Sequence, residues 1–257
     1  KDLDDKPFLG ETGIGHTRWA THGPPTLSNA HPHIAGRVAV VHNGIIENHQ
    51  EIRNELLAGG VVFESDTDTE VVAHLLERHL ADDLGPVEAM RAVVERVTGA
   101  YAFVVMIAGY PDMLLVARHA SPLAIGHGEG EMYVGSDALA LAPMTRRITY
   151  LKDGDWAVLR RDGAEIFDAT GALVDRGVSL TEVSGALIGK GNYRHFMEKE
   201  IHEQPEVVGY TLFRYYDPNS GALTFPDMPF DPVTLPKLTI VAAGASYYAA
   251  MVAKYWL

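Results

Sequence analysis

The spacing of apolar residues along the chain changes period more than once. Val38-Ala39-Val40-Val41 is an unbroken apolar run rich in valine, and it predicts a buried strand. The run leads into Asn43-Gly44, a pair suited to a tight turn, and Asn48 stands three residues before Glu51 at capping-box spacing. The segment therefore predicts a strand, a sharp turn, a short extended piece and a helix over 48–58 that Gly59-Gly60 ends. Val71, Val72, Leu75, Leu76 and Leu80 recur at helical spacing over 68–80, with Thr67 and Glu70 as a second capping box. Pro86 opens another helix, with Val87, Met90, Val93, Val94 and Val97 on one side. Beyond it the period shortens. Residues 101–108, 113–118, 123–127, 132–135, 148–151, 155–160 and 164–167 read as successive strands, with Ser136-Asp137 capping a short helix to Ala142.

The flanks are less regular. Residues 1–12 form a polar lead-in, 13–20 a strand, and Pro24, Pro25 and Pro32 make 21–36 a loop; 61–63 is a short strand. Residues 170–192 lack periodicity and are rich in glycine, so they read as a linker. A charged helix follows over 194–203, and Pro205 either interrupts it or opens a new one. Residues 238–243 read as a buried strand that Gly244-Ala245-Ser246 turns into an apolar helix over 247–257. A strand, a glycine turn and a helix start carrying a hydroxyl suit an anion site, and suit equally a plain junction in an α/β domain. Periodicity alone supports the class α+β.

Composition narrows the function. With 257 residues and 47% hydrophobic content the chain can bury a full core, as one large domain or two small ones. A formal charge of −13 argues against nucleic acid or an anionic membrane as partner. No apolar run reaches membrane-spanning length, and the first residues are no signal peptide, so a cytoplasmic protein is expected. There is no cysteine, hence no disulfide framework.

Two stretches carry candidate chemistry. The amide of Asn43 and the N–H of Gly44, held at the mouth of a buried strand, would stabilise an oxyanion if they converge; the other reading is a hairpin turn. The stretch from Gly13 to Gly23 packs Arg18, Trp19, Thr21 and His22 into five positions, and Arg18 is the side chain that grips a carboxylate with paired hydrogen bonds. Downstream, Asp68 supplies a carboxylate; together the two charges suit a zwitterionic amino acid, while Asp68 alone suits a helix dipole. His16, His22, His31, His33 and His42 raise a metal site. His31-x-His33 around a proline is not a familiar ligand spacing, so the histidines are expected to order the loop and no metal is expected.

Four motifs in order carry a resemblance: His16 to Gly23, Asn29 to His33, Val41 to His49 and Ser65 to Glu70. Together the chain resembles the glutaminase domain of the glucosamine-6-phosphate synthases, the isomerising glutamine–fructose-6-phosphate aminotransferases. Residues 193–205 resemble the linker of that family and residues 237–257 the start of its first sugar-isomerase domain. The resemblance implies a glutaminase domain over 1–169, a linker over 170–236 and a sugar-isomerase start from 237. It implies a four-layer αββα sandwich of the N-terminal-nucleophile hydrolase type, a class II glutamine amidotransferase. It implies that Arg18 binds the carboxylate of glutamine and Asp68 its amino group, with Trp19, Thr21 and His22 shaping the pocket. Asn43 and Gly44 would stabilise the oxyanion. Gly244, Ala245 and Ser246 would touch a sugar phosphate, where the family has Cys-Gly-Thr-Ser and this chain has Ala243-Gly244-Ala245-Ser246.

The implied substrates are glutamine and fructose 6-phosphate, the implied assembly a homodimer through the isomerase domains, and no cofactor is implied. Family members attack with an N-terminal cysteine, whereas residue 1 here is Lys, so the chain is expected to be an interior piece of a longer enzyme. Three alternatives accompany that expectation: a non-catalytic glutamine-binding module, a histidine-based metal hydrolase, and another class II amidotransferase.

Overall fold

The computed structural model describes residues 10–18, 22–181, 193–216, 221–223 and 234–256. Trp19, Thr21 and the linker stretch 182–192 lie outside the described residues. The chain divides into two compact units, residues 1–189 and 190–257.

The first unit is built on two antiparallel sheets. Its strands are β1 (His33–Ala35), β2 (Val38–Ile46), β3 (Gly99–Ile107), β4 (Leu114–His119), β5 (Ala124–His127), β6 (Met132–Gly135), β7 (Arg147–Tyr150), β8 (Trp156–Arg160), β9 (Gly163–Phe167), β10 (Leu173–Val174) and β11 (Ser179–Leu180). Seven of them form one sheet in the order β1-β2-β3-β4-β8-β9-β10, and four form the other in the order β11-β7-β5-β6. The helices are α1 (His49–Ala58), α2 (Glu70–Ala81), α3 (Pro86–Arg96) and the short α4 (Ala138–Leu141).

Side-chain alternation puts one face of the larger sheet against helices. Val38, Val40, Phe103, Val105, Leu115 and Val158 pack with Ile52 and Leu56 of α1, Leu75 and Leu76 of α2 and Met90 and Val93 of α3. The opposite face contributes Ala102, Val116, Ala157 and Leu159, which meet Leu123, just before β5, and Ile125 of the smaller sheet. On the far side of that sheet, Leu141 of α4 packs against Ala124 and Ile148. The order through the unit is helix, sheet, sheet, helix. Burying each apolar stripe and face once in this way is the main source of stability, at roughly 25 cal/mol per Å² of apolar surface.

In the second unit α5 runs unbroken over Phe196–Tyr215, with Pro205 inside it, and α6 spans Gly244–Ala253. No described helix is long and apolar enough to cross a membrane.

Several expectations are corrected. There is no turn at Asn43-Gly44: β2 continues to Ile46 because β3 lies alongside, pairing Asn43 with Ala102, Gly44 with Tyr101 and Ile46 with Gly99. Residues 13–18 and 61–63 are not strands; no described neighbour pairs with them. Two short edge strands, β10 and β11, lie in the stretch read as linker, and β1 lies in the stretch read as loop; each exists by pairing with β9, β7 or β2. Residues 238–243 form no strand, and Leu238, Ile240 and Val241 are exposed.

Neither capping box forms. The Asn48 side chain donates to the carbonyl of Arg96 and accepts from the N–H of Thr98, tying α1 to the α3–β3 connection instead. Thr67 does not cap α2, which starts from Thr69 without a side-chain cap.

Candidate active site

Strand β2 delivers two neighbouring side chains to opposite faces of its sheet. His42 shares the helix-facing side with Val38 and Val40, while Asn43 lies beside Ala102 on the other. Gly44 follows with φ at 121°, and a Cβ there would stand 2.0 Å from the carbonyl oxygen of Ala100. Only glycine lets the two strands approach so closely at this point.

The loop before α2 is held by Glu70. Its buried carboxylate accepts from the N–H groups of Glu64 and Ser65, from the Ser65 hydroxyl and from the His74 ring, the first three at 2.7, 2.7 and 2.5 Å. Burial raises its pKa, but the hydrogen bonds from His74, Ser65 and the two backbone groups outweigh it and hold it at about 2. This clasp fixes Asp68, whose Oδ2 accepts from the N–H of Ile46 at 2.8 Å and whose Oδ1 lies 3.7 Å from Nδ1 of His22. Asp68 is 2% exposed.

Arg18 sits in the left-handed region, φ 46°. Its guanidinium donates to the carbonyls of Asn29 (2.7 Å), His22 (2.8 Å) and Gly23 (3.3 Å). Three of its five N–H groups are so engaged, and two remain without a partner among the described residues. Asn29 in turn binds Asp66 N–H and the Pro24 carbonyl, closing the loop on itself.

A line of histidines runs beneath. His16 Nε2 lies 2.7 Å from Asn43 Oδ1, and its Nδ1 lies 2.8 Å from the N–H of Arg18 and 2.9 Å from Nδ1 of His31. The Thr69 hydroxyl bridges Nε2 of His31 and Nδ1 of His42 at 3.1 and 2.9 Å. Burial lowers the pKa of His31 to about 3, aided by His16 and His33; burial also lowers that of His42 to about 4, against the opposing pull of Asp68. Both rings are neutral at pH 7. Among the described residues no group of three or more His, Cys, Asp or Glu side chains is placed to hold a metal.

These elements enclose a cavity of about 190 Å³ lined by Arg18, His22, Asn43, Gly44 and Asp68, together with His16, His31, His42, Thr67 and Thr69. Arg18, His22, Asn43, Gly44 and Asp68, the described residues that the resemblance implies for one pocket, are therefore at one place. The buried nitrogens His22 Nδ1 and His42 Nε2 have no hydrogen-bond partner among the described residues. Beyond ordering the loop, the histidines are joined through Thr69; nothing in the spacing announces that one threonine hydroxyl joins His31 to His42. Gly244, Ala245 and Ser246 open α6 of the second unit, with Gly244 at φ 60°.

Comparison with known proteins shows what the chain is similar to. A family model described as "Glutamine amidotransferase domain" matches residues 17–143. Glutamine--fructose-6-phosphate aminotransferase [isomerizing] of Gluconobacter oxydans (strain 621H) is 54% identical over 255 residues, 99% of this chain and 42% of that protein. The same-named protein of Bradyrhizobium diazoefficiens is 53% identical over 257 residues, again 42% of its length. The chain thus spans less than half of the curated relatives it matches. Among solved structures, a glutamine phosphoribosylpyrophosphate amidotransferase from B. subtilis superposes with a TM-score of 0.51 at 24% identity, over 62% of this chain and 35% of that one. One described as the allosteric regulatory enzyme of purine biosynthesis reaches 0.50 at 27% identity, over 60% and 34%. Residues 17–143 match the model of a glutamine amidotransferase domain, and the similarity to isomerising glutamine–fructose-6-phosphate aminotransferases continues on both sides of that stretch.

Proposed function

We propose that the cavity beside Asn43 is a glutaminase site, and that the protein releases ammonia from glutamine and passes it to fructose 6-phosphate to make glucosamine 6-phosphate. The observation that carries this reading is the meeting, in one small cavity, of a cationic fork, a buried carboxylate and an amide next to a forced glycine. Arg18 binds the carboxylate of glutamine through its charge and an N–H that the loop carbonyls leave over, and Asp68 binds the ammonium. His22 shapes the pocket, and the resemblance gives Thr21 and Trp19, which lie outside the described residues, a part in it. The Asn43 amide and the Gly44 N–H receive the charge that develops on the side-chain carbonyl oxygen as a nucleophile attacks. These 257 residues contain no cysteine, so the thiol that would form the γ-glutamyl thioester is not among them. The fold in this reading is the αββα sandwich of N-terminal-nucleophile hydrolases. Residues 237–257 begin the sugar-isomerase domain, with Gly244, Ala245 and Ser246 near the sugar phosphate, and the enzyme is a cytoplasmic homodimer.

Steady-state glutaminase kinetics on the full-length protein test the reading. Asn43→Ala should lower kcat on the order of 10²- to 10³-fold with little change in KM, because an oxyanion donor binds charge present only in the transition state. Arg18→Ala should instead raise the KM for glutamine, by about 2–4 kcal/mol of lost binding. A near-normal kcat in Asn43→Ala with a lowered melting temperature would return Asn43 to a purely structural role.

A further inference from the structure

The proton positions along the histidine line follow from one backbone group. The N–H of Arg18 can only donate, so Nδ1 of His16, 2.8 Å away, is an acceptor. The single proton of neutral His16 therefore sits on Nε2 and is donated to Oδ1 of Asn43 at 2.7 Å. His31 meets that same Nδ1 lone pair at 2.9 Å, so its own Nδ1 carries the hydrogen and its Nε2 accepts from the Thr69 hydroxyl. The Thr69 oxygen then accepts from Nδ1–H of His42. With His31 and His42 neutral a single assignment joins these contacts, the one lone pair of His16 Nδ1 being shared between the Arg18 N–H and Nδ1–H of His31. A second proton on His16 would set two donors, its own Nδ1–H and the Arg18 N–H, against each other.

The consequence falls on Asn43. An amide has one acceptor edge and one donor edge, and His16 occupies the acceptor edge. The edge left over is the NH₂ group, which has no partner among the described residues. Without His16, rotation by a half-turn about the last side-chain bond would exchange oxygen and nitrogen at little cost, and the cavity would meet a carbonyl oxygen that repels an oxyanion.

We propose that His16 is the positioning residue that presents the nitrogen of Asn43, with its tautomer set by the left-handed backbone of Arg18. The inference rests on the glutaminase reading of this cavity and deepens it. It joins the residue that grips the substrate carboxylate to the one that stabilises the oxyanion, through a single ring. A shift of the Arg18 backbone that withdraws its N–H frees His16 to change tautomer, and the Asn43 amide then loses its orientation.

Two measurements test this. Long-range ¹H–¹⁵N spectra of the chain, with His16 assigned by its loss in His16→Gln, should show Nε2 protonated and Nδ1 bare; a proton on Nδ1 overturns the proposal. In glutaminase assays of the full-length protein, Asn43→Ala is the reference: if its kcat is near normal, the glutaminase reading itself fails, whatever His16 does. If its kcat falls, His16→Ala should lower kcat about tenfold or more with the KM for glutamine within about twofold. His16→Gln, whose side-chain N–H can still donate to Oδ1, should recover most of that loss. Combining His16→Ala with Asn43→Ala should add little further loss. A normal kcat in His16→Ala, or a fully additive loss in the double variant, overturns the positioning role while leaving the glutaminase reading standing. If His16→Ala does not fold, the spectra and the Gln variant decide.

Discussion

Asp68 Oδ2 accepts a hydrogen bond from the backbone N–H of Ile46 at 2.8 Å, tying the loop just before α2 to the last residue of β2. The carboxylate thus has two separable properties. Its oxygen satisfies a buried backbone donor, and its charge, in the proposed reading, holds the ammonium of glutamine. Asp68→Asn keeps an oxygen for Ile46 and removes the charge, so it should melt near the parent temperature while the KM for glutamine rises by an order of magnitude or so. Asp68→Ala also leaves the Ile46 N–H buried and unpaired and should cost about 1–3 kcal/mol of stability besides. Thermal melts beside glutamine titrations check both; a normal KM in Asp68→Asn would remove the charge from substrate binding.

Gly44 gives a sharper structural test. An added Cβ would lie 2.0 Å from the Ala100 carbonyl oxygen and 2.8 Å from its carbon, both backbone atoms, at a φ of 121°. Neither strand can yield without breaking the β2–β3 ladder. Gly44→Ala should therefore destabilise the first unit by about 3 kcal/mol or more, or prevent its folding. An unaltered melting temperature would show that the strands separate here more easily than their pairing implies.

Acid should act in two stages. Burial holds His31 and His42 neutral, with pKa values of about 3 and 4 against an ordinary 6.5. Between the folded and ordinary values the unfolded chain binds the extra proton. Their contribution to stability is therefore complete above pH 6.5 and declines as pH falls below it, by up to about 1.4 kcal/mol per pH unit for each ring. Glu70, held at about 2 against 4.5, contributes stability that is complete above pH 4.5 and is lost as pH falls toward 2. The melting temperature should begin to fall below pH 6.5 and fall more steeply below 4.5. His42→Gln removes one titrating ring and should flatten the first stage. A melting temperature constant between pH 7 and 5 would contradict the buried neutral cluster.

Local pattern settled much of the chain by itself. The apolar period placed α1, α2, α3 and strands β3 to β9 within a residue or two of their ends, because an element that must bury one side writes that side into its own spacing. That Arg18, His22, Asn43, Gly44 and Asp68 belong together was suggested by the motifs that carry the resemblance, and all five line one cavity. What depends on a partner was not legible. Asn43-Gly44 has the composition of a turn, yet β3 offers it a ladder and it stays extended. Leu238 to Ala243 has the composition of a buried strand, yet no described neighbour pairs with it and it stays irregular and exposed. Asn48 and Glu70 stand at capping spacing, but stronger or better-placed partners draw their side chains elsewhere. The orientation of the Asn43 amide lies further still from sequence. It needs Arg18, His16, His31, Thr69 and His42 brought together from across more than fifty positions, and only the tertiary fold supplies the distances at which one N–H can decide the protons of all the rest.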